Sequence, residues 1–154
     1  LIEIYGDEDR SARLHAIDLG IQMQLINVLR DVVEDFERGR VYLPKDVLAS
    51  HNLEIKDLSN PNLAQNPSWK SFIREYFEIV RRHQASALHL FDYLDSRSRV
   101  QPKIMLDAYT KIFNEIIRRS GDVFTTPLKL SAISKMSLWM KINYLKLKIR
   151  MATD

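Results

Sequence analysis

Apolar residues recur at helical spacing along nearly the whole chain, and this periodicity limits the possible fold more than any other feature. Between 9 and 35 the apolar positions follow one another three or four residues apart, and no proline interrupts them. No stretch of more than a few residues alternates with the period of two that marks a strand. The sequence therefore predicts an all-α fold, with helices at 9–35, 45–50, 68–95, 102–119 and 131–151.

Capping and helix-breaking residues mark the ends of two of these helices. Ser68 is the predicted N-cap of the third helix, because it follows the loop-like segment 59–67 with its two prolines. Pro102 falls in the first turn of the fourth helix, and Gly121 comes just after its end.

The composition is that of a globular chain that forms one domain or part of one. The 154 residues are 45% hydrophobic and 28% charged, a balance that disordered chains lack. The absence of cysteine excludes a disulfide scaffold, a thiolate metal site and a cysteine nucleophile. No apolar run approaches the ~20 residues that span a bilayer, and no secretory signal is present. These features predict a cytoplasmic location.

The net charge of +3 comes from the C-terminal end of the chain. Six of the 23 basic residues but only one of the 20 acidic residues follow position 127, which leaves 17 basic and 19 acidic residues in 1–127. The basic character therefore gives no support for nucleic-acid binding. The predicted helix at 131–151 mixes apolar and basic residues, which suits either a closing helix packed on the core or peripheral contact with an anionic membrane.

The first predicted helix has two chemically different faces. At about 100° per residue, its polar residues share an arc of roughly 100° and its aliphatic residues lie on the other side. We expect the aliphatic side to be buried. The polar arc holds Gly20, Gln24, Asn27, Asp31, Glu34, Asp35 and Arg38, and the aliphatic side holds Ile21, Leu25, Ile26, Val28, Leu29, Val32 and Val33.

Asp31 and Asp35 are four residues apart, so their carboxylates should lie one above the other on the polar arc. Like charges at this spacing repel each other, and a hard cation between them would reverse that effect. Mg²⁺ takes one or two protein carboxylates together with water and phosphate oxygens. Asn27 offers a neutral oxygen one turn earlier, and Gln24 can donate to a phosphate. Spacing alone does not distinguish a metal site from a solvated helix face, and most acidic pairs four residues apart belong to solvated faces.

A longer run around these residues resembles a known family. Residues 19–46 combine Gln24 and Asn27, the run Arg30-Asp31-Val-Val-Glu34-Asp35, and the run Arg-Gly-Arg-Val-Tyr-Leu-Pro at 38–44. This combination resembles the second aspartate-rich region of the squalene/phytoene synthase family. The stretch that begins Ala-Tyr109 resembles a late helix of that family, and Asp-Val-Phe-Thr at 122–125 resembles the connection after it.

The resemblance implies the C-terminal half of a helical bundle of the trans-isoprenyl diphosphate synthase type. Such enzymes of isoprenoid and carotenoid biosynthesis join two farnesyl or geranylgeranyl diphosphates head to head, through a cyclopropyl diphosphate, into a C30 or C40 polyene. The implied magnesium ligands are Asn27, Asp31 and Asp35, and Gln24, Asn27 and Arg30 are the implied contacts to the prenyl diphosphate. On the helical wheel, Arg30 itself lies outside the polar arc. Tyr109 matches a tyrosine near the reacting centre, although a core aromatic with a hydrogen-bonded hydroxyl is an equal alternative.

The sequence departs from the family pattern in three respects. The family has a first aspartate-rich motif, which would precede Leu1, so 1–154 resembles the C-terminal part of one longer domain. We expect this part to be inactive by itself and to need the N-terminal half or another chain. Where the family usually has a basic pair, this chain has Thr126 and Pro127, and Val33 replaces a common glycine.

Two other functions stay open at this stage. Loss of the second substrate site would give a prenyl diphosphate phosphatase that releases a prenyl alcohol. A scaffold or assembly protein of the same fold would keep the pocket only as structure. The four histidines have no ligand spacing and are interpreted as isolated surface or core residues: His15, His51, His83 and His89.

Overall fold

The computed structural model describes residues 10–126 and residue 128, and it is all-helical over this part. The order of elements is α1 (Arg10–Arg30), α2 (Val32–Glu37), α3 (Lys45–Ser50), two 3₁₀ helices (Ile55–Ser59 and Leu63–Gln65), α4 (Pro67–Tyr93) and α5 (Val100–Arg118). The predicted all-α class is thus confirmed. The helix predicted at 131–151 lies outside the described residues.

The first predicted helix is interrupted once, at Asp31. This residue has φ −100° and ψ 8° and separates α1 from α2, so the prediction of one continuous helix over 9–35 was wrong. The main chain nevertheless keeps its helical hydrogen bonds across the break, because the Asp31 amide donates to the Asn27 carbonyl at 2.9 Å. The path of the helix is therefore kept through the interruption. Aspartate favours such positions because its side chain forms local polar contacts.

The start of α4 also differs from the prediction. Asn66, rather than Ser68, is the N-cap, and its side-chain oxygen accepts a hydrogen bond of 2.8 Å from the Ser68 amide. Pro67 occupies the first helical position, where its missing N–H costs nothing. The end of α5 agrees with the prediction, since Gly121 follows it with a φ of +79°.

Helices α1 and α4 run antiparallel along each other and form the centre of the structure. Leu25 of α1 meets Tyr76 of α4, whereas the earlier Asp18 meets the later His83. Helix α5 also packs against α1. A large apolar core surrounds Trp69, Phe72 and Phe113, and a smaller cluster at the other end of the helix pair contains Leu19, Ala87, Leu90 and Leu106.

The aliphatic side of α1 is buried only in part. Ile26, Leu29 and Val32 lie in the large core as predicted. Ile21, assigned to the buried side, is instead 37% exposed. Ile17 and Leu14, two earlier members of the apolar periodicity, are 49% and 57% exposed. We refer to Leu14, Ile17 and Ile21 as the aliphatic stripe.

Candidate functional site

The three predicted metal ligands follow one another along a continuous line of main-chain hydrogen bonds. The Asp31 amide donates to the Asn27 carbonyl at 2.9 Å, and the Asp35 amide donates to the Asp31 carbonyl at 2.8 Å. Residues joined in this way are one helical turn apart, so they share one side of the helix. We call Asn27, Asp31 and Asp35 the aspartate motif.

Asn27 carries an unusual polar atom. Its side-chain oxygen Oδ1 is buried and has no hydrogen-bond partner. A buried amide oxygen without a partner costs free energy, on the order of 1–3 kcal/mol. Such an atom is therefore available as a ligand for a cation or as an acceptor for a bound water.

Asp31 is already engaged by its neighbour. Arg30 donates from Nε to Asp31 Oδ1 at 2.7 Å and from Nη2 to Asp31 Oδ2 at 2.6 Å. Adjacent residues on a regular helix do not face each other, and this contact occurs at the break between α1 and α2. The hydrogen bonds to Asp31 raise the pKa of Arg30. Burial acts against this increase, and the nearby Tyr109 and Glu34 add to it. The helical wheel placed Arg30 outside the polar arc, but its side chain reaches the motif.

Tyr109 on α5 is near the aspartate motif, although it belongs partly to the core. It is half-buried and packs against the large apolar cluster. Its electrostatic contribution at the Arg30 guanidinium places the two side chains in the same neighbourhood. Both alternatives for Tyr109, a residue near the reacting centre and a core aromatic, are thus compatible with its position.

The oxygen donors of the aspartate motif suit magnesium. Among the described residues, no group of three or more histidine, cysteine or acidic side chains could hold a metal by itself. In the same part of the chain, the Asp35 carboxylate has no ion-pair partner. Mg²⁺ needs only one or two protein carboxylates, because substrate phosphates and water complete its shell. The residues therefore fit the cation, with the buried Asn27 oxygen as a neutral third donor.

The side of α1 that carries Asp31 continues into the aliphatic stripe. Ile17, Gln24 and Asp31 are spaced by seven residues, or about two turns, so they share one face. Gln24 is exposed, and no other predicted site residue contacts its side chain among the described hydrogen bonds. The face thus changes from charged at Asp31 to apolar at Ile17 and Ile21, and the exposed Arg13 follows one turn beyond Ile17.

A cleft of about 340 Å³ lies next to α2, but it is not part of this face. On the helix, its α2 residues point away from Asp35. It contains none of the predicted site residues. Its lining residues are Val33, Phe36, Glu37, Leu58, Ser59, Asn60, Pro61 and Phe124.

The connection after α5 is folded around Asp122. Its Oδ1 accepts hydrogen bonds from the amides of Phe124 and Thr125 at 3.0 and 3.1 Å, and its Oδ2 accepts one from the Thr125 hydroxyl. Burial alone would raise the pKa of Asp122, but these hydrogen bonds lower it below its ordinary value. Arg119 donates from Nη1 to the Thr126 hydroxyl at 2.7 Å. A guanidinium therefore lies beside the position where a basic pair was expected.

A polar cluster between α1 and α4, at the end away from the aspartate motif, was not predicted from the sequence. His83 Nδ1 lies 2.7 Å from Asp18 Oδ1, Ser86 donates to the other Asp18 oxygen, and His15 Nδ1 lies 2.9 Å from Ser86 Oγ. The interpretation of His15 and His83 as isolated residues was therefore wrong. No local signal joins residues 65 positions apart, and only the antiparallel pairing of the two helices brings them together.

Comparison with known proteins places the sequence in a family. A sequence model described as squalene/phytoene synthase matches residues 1–134. The chain belongs to the squalene/phytoene synthase family. The family resemblance of residues 19–46 is thereby confirmed, and so is the helical fold that it implies.

Several curated relatives are phytoene synthases. A 15-cis-phytoene synthase of Synechococcus elongatus is 38% identical over 116 residues, which is 71% of this chain and 35% of the relative. Phytoene synthase 1, chloroplastic, of Solanum lycopersicum is 36% identical over 131 residues, or 85% of this chain and 31% of the relative. A phytoene synthase of Thermus thermophilus is 55% identical over 49 residues, or 32% of this chain and 17% of the relative.

The chain spans about a third of the length of the first two relatives. Among the described helices, none has both the length and the apolar character required to cross a membrane.

Proposed function

We propose that this chain is the metal-binding C-terminal part of an enzyme that condenses two prenyl diphosphates head to head. The substrates are farnesyl or geranylgeranyl diphosphate, and the product is a C30 or C40 polyene formed through a cyclopropyl diphosphate. The observation that carries the proposal is the face of α1 that joins the aspartate motif to the aliphatic stripe. Membership of the family and the phytoene synthases among its relatives support the reaction class.

The two ends of this face match the two ends of a prenyl diphosphate. Asp31 and Ile17 are 14 residues apart, which corresponds to about 21 Å along a helix. An elongated ligand could therefore place its diphosphate at the aspartate motif and its hydrocarbon along the aliphatic stripe. A continuous patch of exposed aliphatic side chains favours a binding surface, and Leu14, Ile17 and Ile21 lie three or four residues apart on one side of α1.

The polar residues of the motif have distinct roles in this proposal. Asn27, Asp31 and Asp35 would hold Mg²⁺, which when bound acts as a Lewis acid that neutralises the departing diphosphate. Gln24 and Arg30 donate hydrogen bonds to the phosphate oxygens. Tyr109 lies on the α5 side of Arg30, where its hydroxyl would be close to the reacting carbons.

The remaining part of the enzyme completes the site. Relatives are about three times as long as the matched segment, so most of a family member lies outside it. We propose that the other part supplies the first aspartate-rich motif and covers the aliphatic stripe, thereby excluding water from the carbocation. The chain alone should be inactive for the same reason.

A prenyl diphosphate phosphatase is the second candidate. It was suggested by Thr126, which replaces a basic residue that would contact the second diphosphate. Arg119, which donates to the Thr126 hydroxyl at 2.7 Å, keeps a positive charge at this position. This contact favours the synthase.

Product analysis tests the proposal. Full-length protein would be incubated with Mg²⁺ and with farnesyl or geranylgeranyl diphosphate, and the products would be identified by mass spectrometry. We expect a C30 or C40 hydrocarbon that is lost in Asp31→Ala and in Asp35→Asn. A prenyl alcohol alone would indicate the phosphatase, and no product from a folded protein would leave the scaffold function.

A substitution in the aliphatic stripe tests the hydrocarbon end of the site independently of the metal-binding end. Ile17→Asp should abolish the hydrocarbon product while pyrophosphate and Mn²⁺ still bind, because only the hydrocarbon surface is changed. Leu88→Asp is the matched control, since Leu88 is 50% exposed on α4, away from α1's motif face. Equal loss of product in both variants would contradict the assignment of the stripe.

A further inference from the structure

The ion pair between Arg30 and Asp31 occupies the oxygens that a metal ion would use. Arg30 contacts both carboxylate oxygens of Asp31, at 2.7 and 2.6 Å. By contrast, the Asp35 carboxylate has no ion-pair partner among the described residues, and the buried Asn27 Oδ1 has no hydrogen-bond partner. The aspartate motif thus has one neutralised acid and two available oxygen donors.

We propose that Arg30 is an exchangeable counter-ion of Asp31, which a divalent cation displaces. This inference rests on the proposed function, because it takes the aspartate motif as the metal site. A carboxylate can accept more than two hydrogen bonds, but a guanidinium and a divalent cation on the same oxygens repel each other. Metal binding therefore weakens the contact with Arg30, and Arg30 weakens the binding of the metal.

The geometry of the pair makes such an exchange possible. The contact joins adjacent residues at a break between two helices, so it needs no rearrangement of the core to open. The two side chains are 29% and 33% exposed, which leaves them accessible to a ligand. The main-chain bonds at 2.9 and 2.8 Å on either side of Asp31 hold its position while its side chain changes partner.

Displacement would also prepare the site for the diphosphate. The guanidinium that leaves Asp31 regains two free hydrogen-bond donors in the neighbourhood of Tyr109 of α5. A diphosphate is the anion that these donors suit, because arginine binds phosphate oxygens through two parallel hydrogen bonds. Metal and diphosphate should therefore bind cooperatively, and the cooperativity should be reciprocal.

Mn²⁺ binding to the full-length protein tests this exchange. The binding would be followed by electron paramagnetic resonance, with and without inorganic pyrophosphate. Without pyrophosphate, we expect Arg30→Gln to bind Mn²⁺ about tenfold more tightly than the wild type, since one charge-assisted contact no longer competes. Pyrophosphate should tighten Mn²⁺ binding in the wild type and do so much less in Arg30→Gln.

Two further variants distinguish competition from a general effect of charge. Arg30→Lys keeps the positive charge but loses the two-pronged contact, so its affinity for Mn²⁺ should lie between those of the wild type and Arg30→Gln. Arg38→Gln removes an exposed arginine that pairs with Glu34 at 2.7 Å, and it should leave the affinity nearly unchanged. Equal tightening in Arg38→Gln and Arg30→Gln would overturn the exchange in favour of a general charge effect.

The remaining outcomes separate this inference from the proposed function. If the wild type binds Mn²⁺ and makes the hydrocarbon but Arg30→Gln binds Mn²⁺ no more tightly, the exchange is wrong and the synthase stands. If the wild type binds no Mn²⁺ even with pyrophosphate, and Asp35→Asn changes nothing, both the exchange and the metal-dependent function are wrong. Circular dichroism would establish that each variant is folded.

Discussion

Tyr76 on α4 donates a hydrogen bond of 2.9 Å to the main-chain carbonyl of Leu25 on α1. This bond joins the two central helices one residue after Gln24, at the level of the proposed site. Burial raises the pKa of Tyr76 above its ordinary value, so the hydroxyl is protonated and remains a donor at neutral pH. The contact thereby fixes the position of α1 relative to the core.

Tyr76→Phe should lower the free energy of unfolding by about 0.5–1.5 kcal/mol, because it removes this hydrogen bond and leaves the ring in place. Chemical denaturation of the full-length protein would measure the change. Tyr42→Phe is the control, since Tyr42 is 56% exposed and its replacement should have no effect. Equal stability of Tyr76→Phe and the wild type would show that the bond contributes nothing.

Gly121 should tolerate a side chain less well than Gly39, although both have positive φ angles of 79° and 72°. A Cβ at Gly121 would lie 2.6 Å from Ile73 Cγ2, whereas a Cβ at Gly39 would have no neighbour within 4 Å. We expect Gly39→Ala to cost about 1–2 kcal/mol from backbone strain alone. Gly121→Ala should cost distinctly more, because it adds a clash in the core.

Thermal unfolding of the two variants would measure this difference. Gly121 also accepts a hydrogen bond of 3.1 Å from Trp69 Nε1 through its carbonyl. A shift of the main chain to relieve the clash would therefore disturb Trp69, and the fluorescence of this residue would change. Equal melting temperatures for Gly121→Ala and Gly39→Ala would contradict the prediction.

Local sequence patterns predicted the helices, but they did not predict which part of α1 is covered or where its helix is interrupted. Ile26 and Leu29 were assigned to the core correctly, because helical periodicity alone places them on one side. Ile21 shares that periodicity yet is exposed, since no described element covers this part of α1. The break at Asp31 was missed for a different reason. The break coincides with a hydrogen bond between Arg30 and Asp31. A helical wheel shows only which residues share a face, so it cannot predict a contact between adjacent residues.

The acid stability of the protein should depend on Asp18. Burial alone would raise the pKa of Asp18, but hydrogen bonds from Ser86 and His83, together with the charges of His83 and His15, lower it below the ordinary value. A carboxyl group with a lowered pKa stabilises the fold above its unfolded-state pKa of about 3.9. This stabilisation is lost as the pH falls through the pKa of the folded state.

Asp18→Asn should therefore be less stable than the wild type at neutral pH, and the difference should shrink below about pH 4. Melting temperatures measured from pH 7 to pH 3 would show this convergence. Asp92→Asn is a suitable control, because Asp92 forms only an exposed pair with His89 at 3.4 Å. A difference in melting temperature between the wild type and Asp18→Asn that stays constant from pH 7 to pH 3 would contradict the prediction.

Replacement of Gln22 should stabilise the protein. Its side chain is fully buried between the two apolar clusters, with Leu19 on one side and Ile26 on the other, and neither of its polar atoms has a hydrogen-bond partner. Leucine has a similar volume and no polar atoms to bury. Gln22→Leu should therefore raise the free energy of unfolding by about 1–3 kcal/mol.

Gln84 on α4 provides the opposite case. It is half-buried on α4 and donates a hydrogen bond of 2.7 Å to Thr110 on α5. Gln84→Leu breaks this bond and leaves the threonine hydroxyl without its partner, so the variant should be destabilised by about 1 kcal/mol. Denaturation of both variants would therefore give changes of opposite sign. A loss of stability in Gln22→Leu would contradict this prediction and indicate that ordered water satisfies the Gln22 amide.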